Sequence, residues 1–258
     1  MLSHRFRSLM NVVLFLSVLS VNYLANALPI NGITQREISA EYHIYLTPAG
    51  YVFAIWGIIY LGLSGYIITQ ALPSQRENPR LRSLDLPFQL SCICNMLWLI
   101  VWHYRHLTIS VVIMFGLLAS LIWIYRRLDH GRHQLHERSH WFVDQTFSIY
   151  LGWVALAMIL NVAIWLDSMG WSGTPLSPQG WVVILLGIAC ILYLYLGFSR
   201  RDAAILGVLS WVSIGIAVKN PEENMINIAC GIVCLICIFA LFRILWQNQR
   251  LRHVAGDS

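Results

Sequence analysis

Charged residues are scarce in this 258-residue chain, and their scarcity limits what the protein can be. Only 11% of the residues are Asp, Glu, Lys or Arg, and 58% are hydrophobic, with a mean hydropathy of +0.64. Soluble domains carry about 25% charged residues. A globular core of this chain length cannot hide so much apolar surface from water, so lipid must be the main solvent. The composition excludes a cytosolic enzyme, a protein that binds nucleic acid and a disordered chain.

Eight apolar runs are separated by short polar segments. A bilayer core about 30 Å thick requires roughly 20 helical residues, and the seventh run is the shortest. The runs cover residues 9–28, 51–71, 86–104, 107–125, 147–166, 180–198, 203–218 and 225–246. The sequence therefore predicts the all-α class, as a polytopic membrane helical bundle with about eight transmembrane helices.

The basic residues favour one orientation of these helices. If the N-terminus is inside and the eight helices alternate, 14 of the 17 Lys and Arg residues fall in inside segments. The other three are Arg36, Arg105 and Lys219. Short cytoplasmic loops carry an excess of Lys and Arg. The charge distribution therefore predicts that both termini are cytoplasmic.

The first apolar run has two interpretations. Arg5 and Arg7, the apolar stretch and the small residues at 25–27 are similar to a signal peptide with a cleavage site. The apolar stretch is long for such a peptide, whose hydrophobic region spans about 7–15 residues. We therefore interpret the run as a retained transmembrane helix, and cleavage of residues 1–27 is the open alternative.

The cysteines and histidines do not predict a metal centre. All six cysteines lie inside apolar runs with no His or carboxylate nearby in sequence, which indicates small packing residues. Four histidines lie in the predicted inside loop 126–144, at positions 130, 133, 136 and 140. Their spacing suits a metal or haem on one helix face, but the surrounding arginines disfavour a cation. We interpret this loop as solvated and close to the lipid headgroups.

Polar and aromatic residues inside the runs predict a ligand pocket. No charged residue lies at mid-membrane depth in the eight runs, which argues against an ion-coupled pump. Asn95 and Asn161 are amides in hydrocarbon, where they either link helices or line a pocket. The predicted orientation places Trp56, Trp98 and Trp165 in the outer half of the membrane. Trp102 is assigned to the aromatic belt at the membrane surface. A flat apolar ligand would suit such a site.

Three motifs, in order along the chain, carry a resemblance to a known family. Residues 47–61, TPAGYVFAIWGIIYL, are followed by Asn95-Met96-Leu97-Trp98 and by YLGWVALA at 150–157. Leu160-Asn161 and Trp165 complete the third motif. This pattern resembles the second, third and fifth helices of the TspO/MBR family, the tryptophan-rich sensory or translocator proteins.

The resemblance implies a domain division and a ligand site. Residues 1–167 would form the family's five-helix transmembrane core, and residues 168–258 would add three transmembrane helices and a short cytoplasmic tail. The family's pocket residues carry over to Tyr51, Phe53, Trp56, Asn95, Trp98, Trp153, Asn161 and Trp165. The family's doubled proline is reduced to Pro48, and no cholesterol pattern follows Asn161. A tetrapyrrole is therefore expected rather than a sterol.

The function expected from the resemblance is that of a membrane binding or sensor protein for a hydrophobic aromatic ligand, a porphyrin or haem. A transporter of that ligand and an enzyme that degrades bound porphyrin are the alternatives. No cofactor is required, the lipid bilayer is the expected surrounding partner, and a homodimer is left open. Arg105, in a tight outside turn, is expected either to pair with a porphyrin carboxylate or to meet lipid phosphate.

Overall fold

Ten α-helices and no strand occur in the computed structural model, which describes residues 4–256 apart from 29, 43, 76–77 and 129–140. The four clustered histidines of the predicted inside loop lie outside the described residues. The predicted all-α class is confirmed. The helices are α1 (His4–Ala27), α2 (Gln35–Glu41), α3 (Ile55–Ala71), α4 (Pro79–Arg82), α5 (Asp85–His103), α6 (Leu107–Leu128), α7 (Trp141–Ser168), α8 (Pro178–Arg200), α9 (Ala203–Lys219) and α10 (Asn224–Gly256).

Seven helical segments within the described part of the chain are long and apolar enough to cross a membrane. They correspond to α1, α3, α5, α6, α7, α8 and α10. The seventh predicted run forms α9, which has 17 residues, and this length lies at the lower limit for a span. The protein is therefore an integral multi-pass membrane protein with seven long helices and one short apolar helix.

The fifth predicted run begins earlier in the structure than the hydropathy indicates. Helix α7 starts at Trp141 and includes Asp144 in its first turn. Asp144 is buried, and its carboxylate accepts hydrogen bonds from Arg80 at 2.7 and 2.8 Å. Arg80 also donates to the carbonyl of Leu128 at 2.6 Å. These contacts join α4, α6 and α7 and explain how a charged residue fits inside the helix.

The packing of the helices joins the two predicted parts of the chain. Helix α5 packs against α1 and α6, and α7 packs against α3 and α6. Helix α9 packs against α7, α8 and α10, so it connects α8 and α10 to the preceding part of the bundle. Asp202 caps the start of α9, and its buried carboxylate also accepts hydrogen bonds from Tyr125 and Ser148. The predicted boundary at residues 167–168 therefore separates parts that share an extensive interface.

The bundle has two ends with different contents. At one end, Asn31 donates to the carbonyl of His103 at 3.2 Å, and Asn220 donates to the carbonyl of Tyr45 at 2.9 Å. We call this the Pro48 end, because residues 44–54 lie there. At the opposite end, the start of α1, the end of α3 and the start of α5 meet through the side chain of Asn11.

Candidate ligand-binding cavity

The segment before α3 is anchored to α9. We call residues 46–54 the Pro48 segment; it ends in the 3-10 turn Gly50–Ala54. The amide of Ala49 donates to the carbonyl of Gly215 at 2.9 Å, and the Trp211 indole donates to the carbonyl of Val52 at 3.1 Å. Gly215 allows this close approach, since a Cβ atom there would lie 2.1 Å from a methyl group of Val52. The Pro48 segment therefore satisfies two of its backbone groups on α9.

A cavity opens beside this segment, between α3, α5, α7, α8 and α9. Its empty space is about 720 Å³ with the open mouth included. No charged side chain occurs among the described residues that line it. The lining consists of Ser39, Leu46, Pro48, Phe53, Trp56, Trp98, Trp102, Trp153, Leu156, Ala157, Ile159, Leu160, Asn161, Leu185, Leu186, Ala189, Val212 and Ile216.

Aromatic rings around the cavity contact one another in two groups. Trp153 makes edge-to-face contacts with Phe53 and Trp56, with ring centroids 5.6 and 6.1 Å apart. Trp98 stacks on Trp102 at 5.7 Å, with 25° between the ring planes. Such contacts add about 0.5–1.5 kcal/mol each beyond the burial of area. The aromatic side of the cavity is therefore built from mutually supporting rings.

All four tryptophans of the cavity lining have a buried indole N–H group without an acceptor among the described residues. They are Trp56, Trp98, Trp102 and Trp153. Three of the side chains are almost completely buried, with 3–5% of their surface exposed. A buried donor without an acceptor costs about 1–3 kcal/mol. The four tryptophans that line the cavity therefore carry donors whose hydrogen-bonding capacity the described residues do not satisfy.

Comparison with known proteins assigns the chain to a family. A family model described as TSPO-like protein matches residues 8–243. The chain belongs to the TSPO-like protein family. Neither the curated proteins nor the solved structures give a match. The family match confirms the resemblance found in the three motifs, and it extends through α8 and α9 into α10.

Five of the nine predicted site residues of this TSPO-like protein line the cavity, and four do not. Those that line it come from the Pro48 segment and from α3, α5 and α7: Phe53, Trp56, Trp98, Trp153 and Asn161. Those that lie elsewhere are Tyr51, Asn95, Trp165 and Arg105. Of the tryptophans expected to converge, Trp56 and Trp98 border the same cavity and Trp165 does not, and of the two amides only Asn161 borders it.

Both predicted amides have partners inside the bundle. Asn95 accepts a hydrogen bond from Asn22 at 3.1 Å and donates to the hydroxyl of Tyr150 at 3.2 Å, so it links α1, α5 and α7. Asn161 donates to the hydroxyl of Ser110 on α6 at 3.0 Å. Amides in hydrocarbon seek such partners across helix interfaces. Asn95 therefore links helices, while Asn161 both links helices and borders the cavity.

The other three predicted residues contact neighbours outside the cavity. Tyr51 is exposed and packs edge-to-face on Trp211, with centroids 5.2 Å apart. The indole of Trp165 donates to the hydroxyl of Thr108 at 3.0 Å.

Arg105 forms an exposed ion pair with Glu41, with N–O distances of 2.5 and 3.0 Å. Its hydrogen bonds with the carboxylate raise the pKa of the guanidinium above its usual value. The structure thus gives Arg105 a protein carboxylate as its partner and places it apart from the cavity lining.

Two contributions to the cavity were not predicted from the sequence. Trp102 was assigned to the aromatic belt, but it lies one helical turn after Trp98 on the same face of α5 and lines the cavity beside it. That spacing could have identified it. Helices α8 and α9 also supply part of the lining, and aliphatic residues in an apolar helix carry no sequence pattern that separates cavity-lining positions from lipid-facing ones.

Proposed function

We propose that this TSPO-like protein binds a flat hydrophobic aromatic ligand of the porphyrin class in the cavity. The family makes it a membrane protein of the sensor, binding or transport kind. The observation that carries the proposal is the cavity lined by four tryptophans and Phe53 inside the bundle. Large aromatic side chains provide contact area and stack on a planar ring system.

The orientation predicted from the basic residues places the cavity in the half of the membrane away from the cytoplasm. With both termini inside, the Pro48 end faces outward, and a ligand would reach the cavity from that side or from the outer leaflet. Accessibility labelling of single-cysteine variants in intact cells tests this orientation. Labelling of a cysteine at position 256 from outside would contradict it.

Titration of the purified protein with protoporphyrin, followed by quenching of tryptophan fluorescence, tests binding. Trp98→Ala removes a ring from the cavity and should weaken binding by about 1–3 kcal/mol, the range for loss of a large stacking contact. Trp246→Ala removes an exposed ring from α10, so it is the matched control and should leave affinity unchanged. Equal losses from both variants would indicate general destabilisation and would contradict a site in the cavity.

Flux measurements separate a binding or sensor role from transport. We expect saturable porphyrin binding without accumulation of porphyrin inside proteoliposomes. Accumulation that depends on the protein would assign it to transport, and a change in the absorption spectrum of the bound porphyrin over many turnovers would assign it to ligand degradation.

A further inference from the structure

The cavity has two walls of different chemistry. Trp56, Trp98, Trp102 and Trp153 form one side, which we call the indole wall; it comes from α3, α5 and α7. The second side, which we call the aliphatic wall, comes from α8 and α9 and consists of Leu185, Leu186, Ala189, Val212 and Ile216. Side chains of the aliphatic wall have no hydrogen-bonding atom. The lining that α8 and α9 supply is therefore hydrocarbon alone, whereas all the indoles of the lining come from α3, α5 and α7.

The aliphatic wall is a fixed part of the structure. Gly215, between Val212 and Ile216 in the sequence, accepts a hydrogen bond from the Pro48 segment and lies in close contact with Val52. Helix α8 is tied to α7, because the hydroxyl of the fully buried Tyr193 donates to the carbonyl of Gly152. These contacts hold both helices of the wall against the part of the bundle that carries the tryptophans.

The indole wall presents donors that the protein itself does not use. The N–H groups of its four tryptophans are buried without an acceptor among the described residues. The polar side chain of Asn161 on the same cavity is already engaged with Ser110. Because all four tryptophans line the cavity, a molecule bound there is the source of acceptors that this inference requires.

We propose that α8 and α9 complete the ligand site, and that its two walls select an uncharged flat molecule with hydrogen-bond acceptors on one side and hydrocarbon on the other. This inference rests on the proposed function. Carbonyl or ester oxygens match indole N–H donors, whereas an ionised carboxylate in an apolar site requires a paired charge. The described lining has no charged side chain to provide one, and Arg105 is paired with Glu41.

Three porphyrins that share one ring system test the ligand class: a dicarboxylic acid, its dimethyl ester, and a porphyrin with alkyl substituents alone. Titration of the full-length protein in the same detergent should give at least tenfold tighter binding of the diester than of either other compound. Tighter binding of the diacid would overturn the selection of an uncharged ligand. Equal binding of all three would overturn this inference while leaving the proposed function standing, and no binding of any of them would overturn both.

Variants of the indole wall test the acceptor requirement. Trp102→Phe and Trp153→Phe each remove an N–H group and keep an aromatic ring. Each should weaken binding of the diester about 5- to 10-fold and leave the alkyl porphyrin nearly unchanged. An equal loss for both compounds would mean that ring area, and not hydrogen bonding, sets the affinity.

Variants of the aliphatic wall test the role of α8. Leu185 lines the cavity and is half-buried, so Leu185→Phe fills space there with little demand on the core. It should weaken all three porphyrins at least fivefold. Ile184→Phe is the matched control, because Ile184 is exposed and does not line the cavity. Unchanged binding in Leu185→Phe, with an unchanged thermal midpoint, would remove α8 from the site.

Discussion

The Pro48 end of the bundle and the opposite end both bury polar side chains, but they satisfy them differently. At the opposite end, Asn11 donates to Gln70 and to Asp85, at 2.8 Å each, and accepts from Gln89 at 2.7 Å. At the Pro48 end, the four indoles of the cavity have no acceptor among the described residues. Asn11 therefore joins α1, α3 and α5 at the opposite end, whereas the Pro48 end buries indole donors that no described residue satisfies.

Burial alone does not mark a ligand site. Asn11 is completely buried and Trp153 nearly so, yet only Trp153 borders the cavity. Toward the opposite end, Nε2 of Gln70 and the hydroxyl of Tyr66 also lack a partner among the described residues, but neither residue lines the cavity. Buried donors without an acceptor, on residues that line a cavity, indicate ligand binding. Amides that are paired between helices indicate a structural role.

The largest effect is expected at Gly215, which holds the Pro48 end together. A Cβ atom there would lie 2.1 Å from a methyl group of Val52, so Gly215→Ala forces α9 and the Pro48 segment apart. Overpacking of this kind costs about 1–3 kcal/mol, and porphyrin affinity should fall as well because the aliphatic wall moves. Thermal unfolding in detergent and porphyrin titration measure the two effects.

Gly207→Ala on the same helix is the control for Gly215→Ala. No atom would lie within 4 Å of a Cβ atom at that position, so the variant should retain both stability and affinity. If the two variants behave alike, the contact between Gly215 and Val52 does not shape the cavity.

Asn11→Ala tests the opposite end. It removes three hydrogen bonds, to the buried Gln70 and the half-buried Asp85 and Gln89, so the free energy of unfolding should fall by about 1–3 kcal/mol. Porphyrin affinity should stay the same, because Asn11 does not border the cavity. Ser20→Ala is the control, since the Ser20 hydroxyl is exposed and bonds only to its own helix. A loss of affinity in folded Asn11→Ala would contradict the separation of the two ends.

Asn95→Ala and Asn161→Ala sharpen the comparison, since both amides are buried but only Asn161 lines the cavity. Each should lower stability by about 0.6–2 kcal/mol, the range for a hydrogen bond between transmembrane helices. Porphyrin affinity should fall in Asn161→Ala alone. A matching loss of affinity in Asn95→Ala would return Asn95 to the site that the family resemblance predicts for it.

Arg105→Gln should have the smallest effect. The ion pair with Glu41 is about 40% exposed on both sides, and such pairs contribute about 0.2–1 kcal/mol. The contribution of the ion pair to stability should shrink at high salt. Glu41→Gln should cause the same small loss of stability as Arg105→Gln. Affinities for a porphyrin diacid and its diester should remain unchanged. A selective loss of diacid binding would instead support the predicted role of Arg105 as a carboxylate partner.

The aromatic part of the candidate site could be predicted because it follows from short motifs. Trp98 and Trp153 stand in patterns that the family match supports, and both line the cavity. Asn95 and Arg105 could not be placed, because their partners, Asn22 and Glu41, are 73 and 64 residues away in the chain. A hydrogen bond over such a separation depends on the rotation and depth of two helices, which hydropathy does not specify.

The sequence by itself determined that this protein lies in a membrane and consists of apolar helices, because about 20 apolar residues in a row have no other stable environment. It also determined the family, through motifs that lie within single helices. Which polar groups are hydrogen-bonded, and which helices enclose the cavity, depends on the tertiary structure. Both depend on which face each helix turns toward its neighbours. An apolar helix such as α9 has no polar stripe to mark that face. In α9, packing against the Pro48 segment, which includes Val52, determines the face.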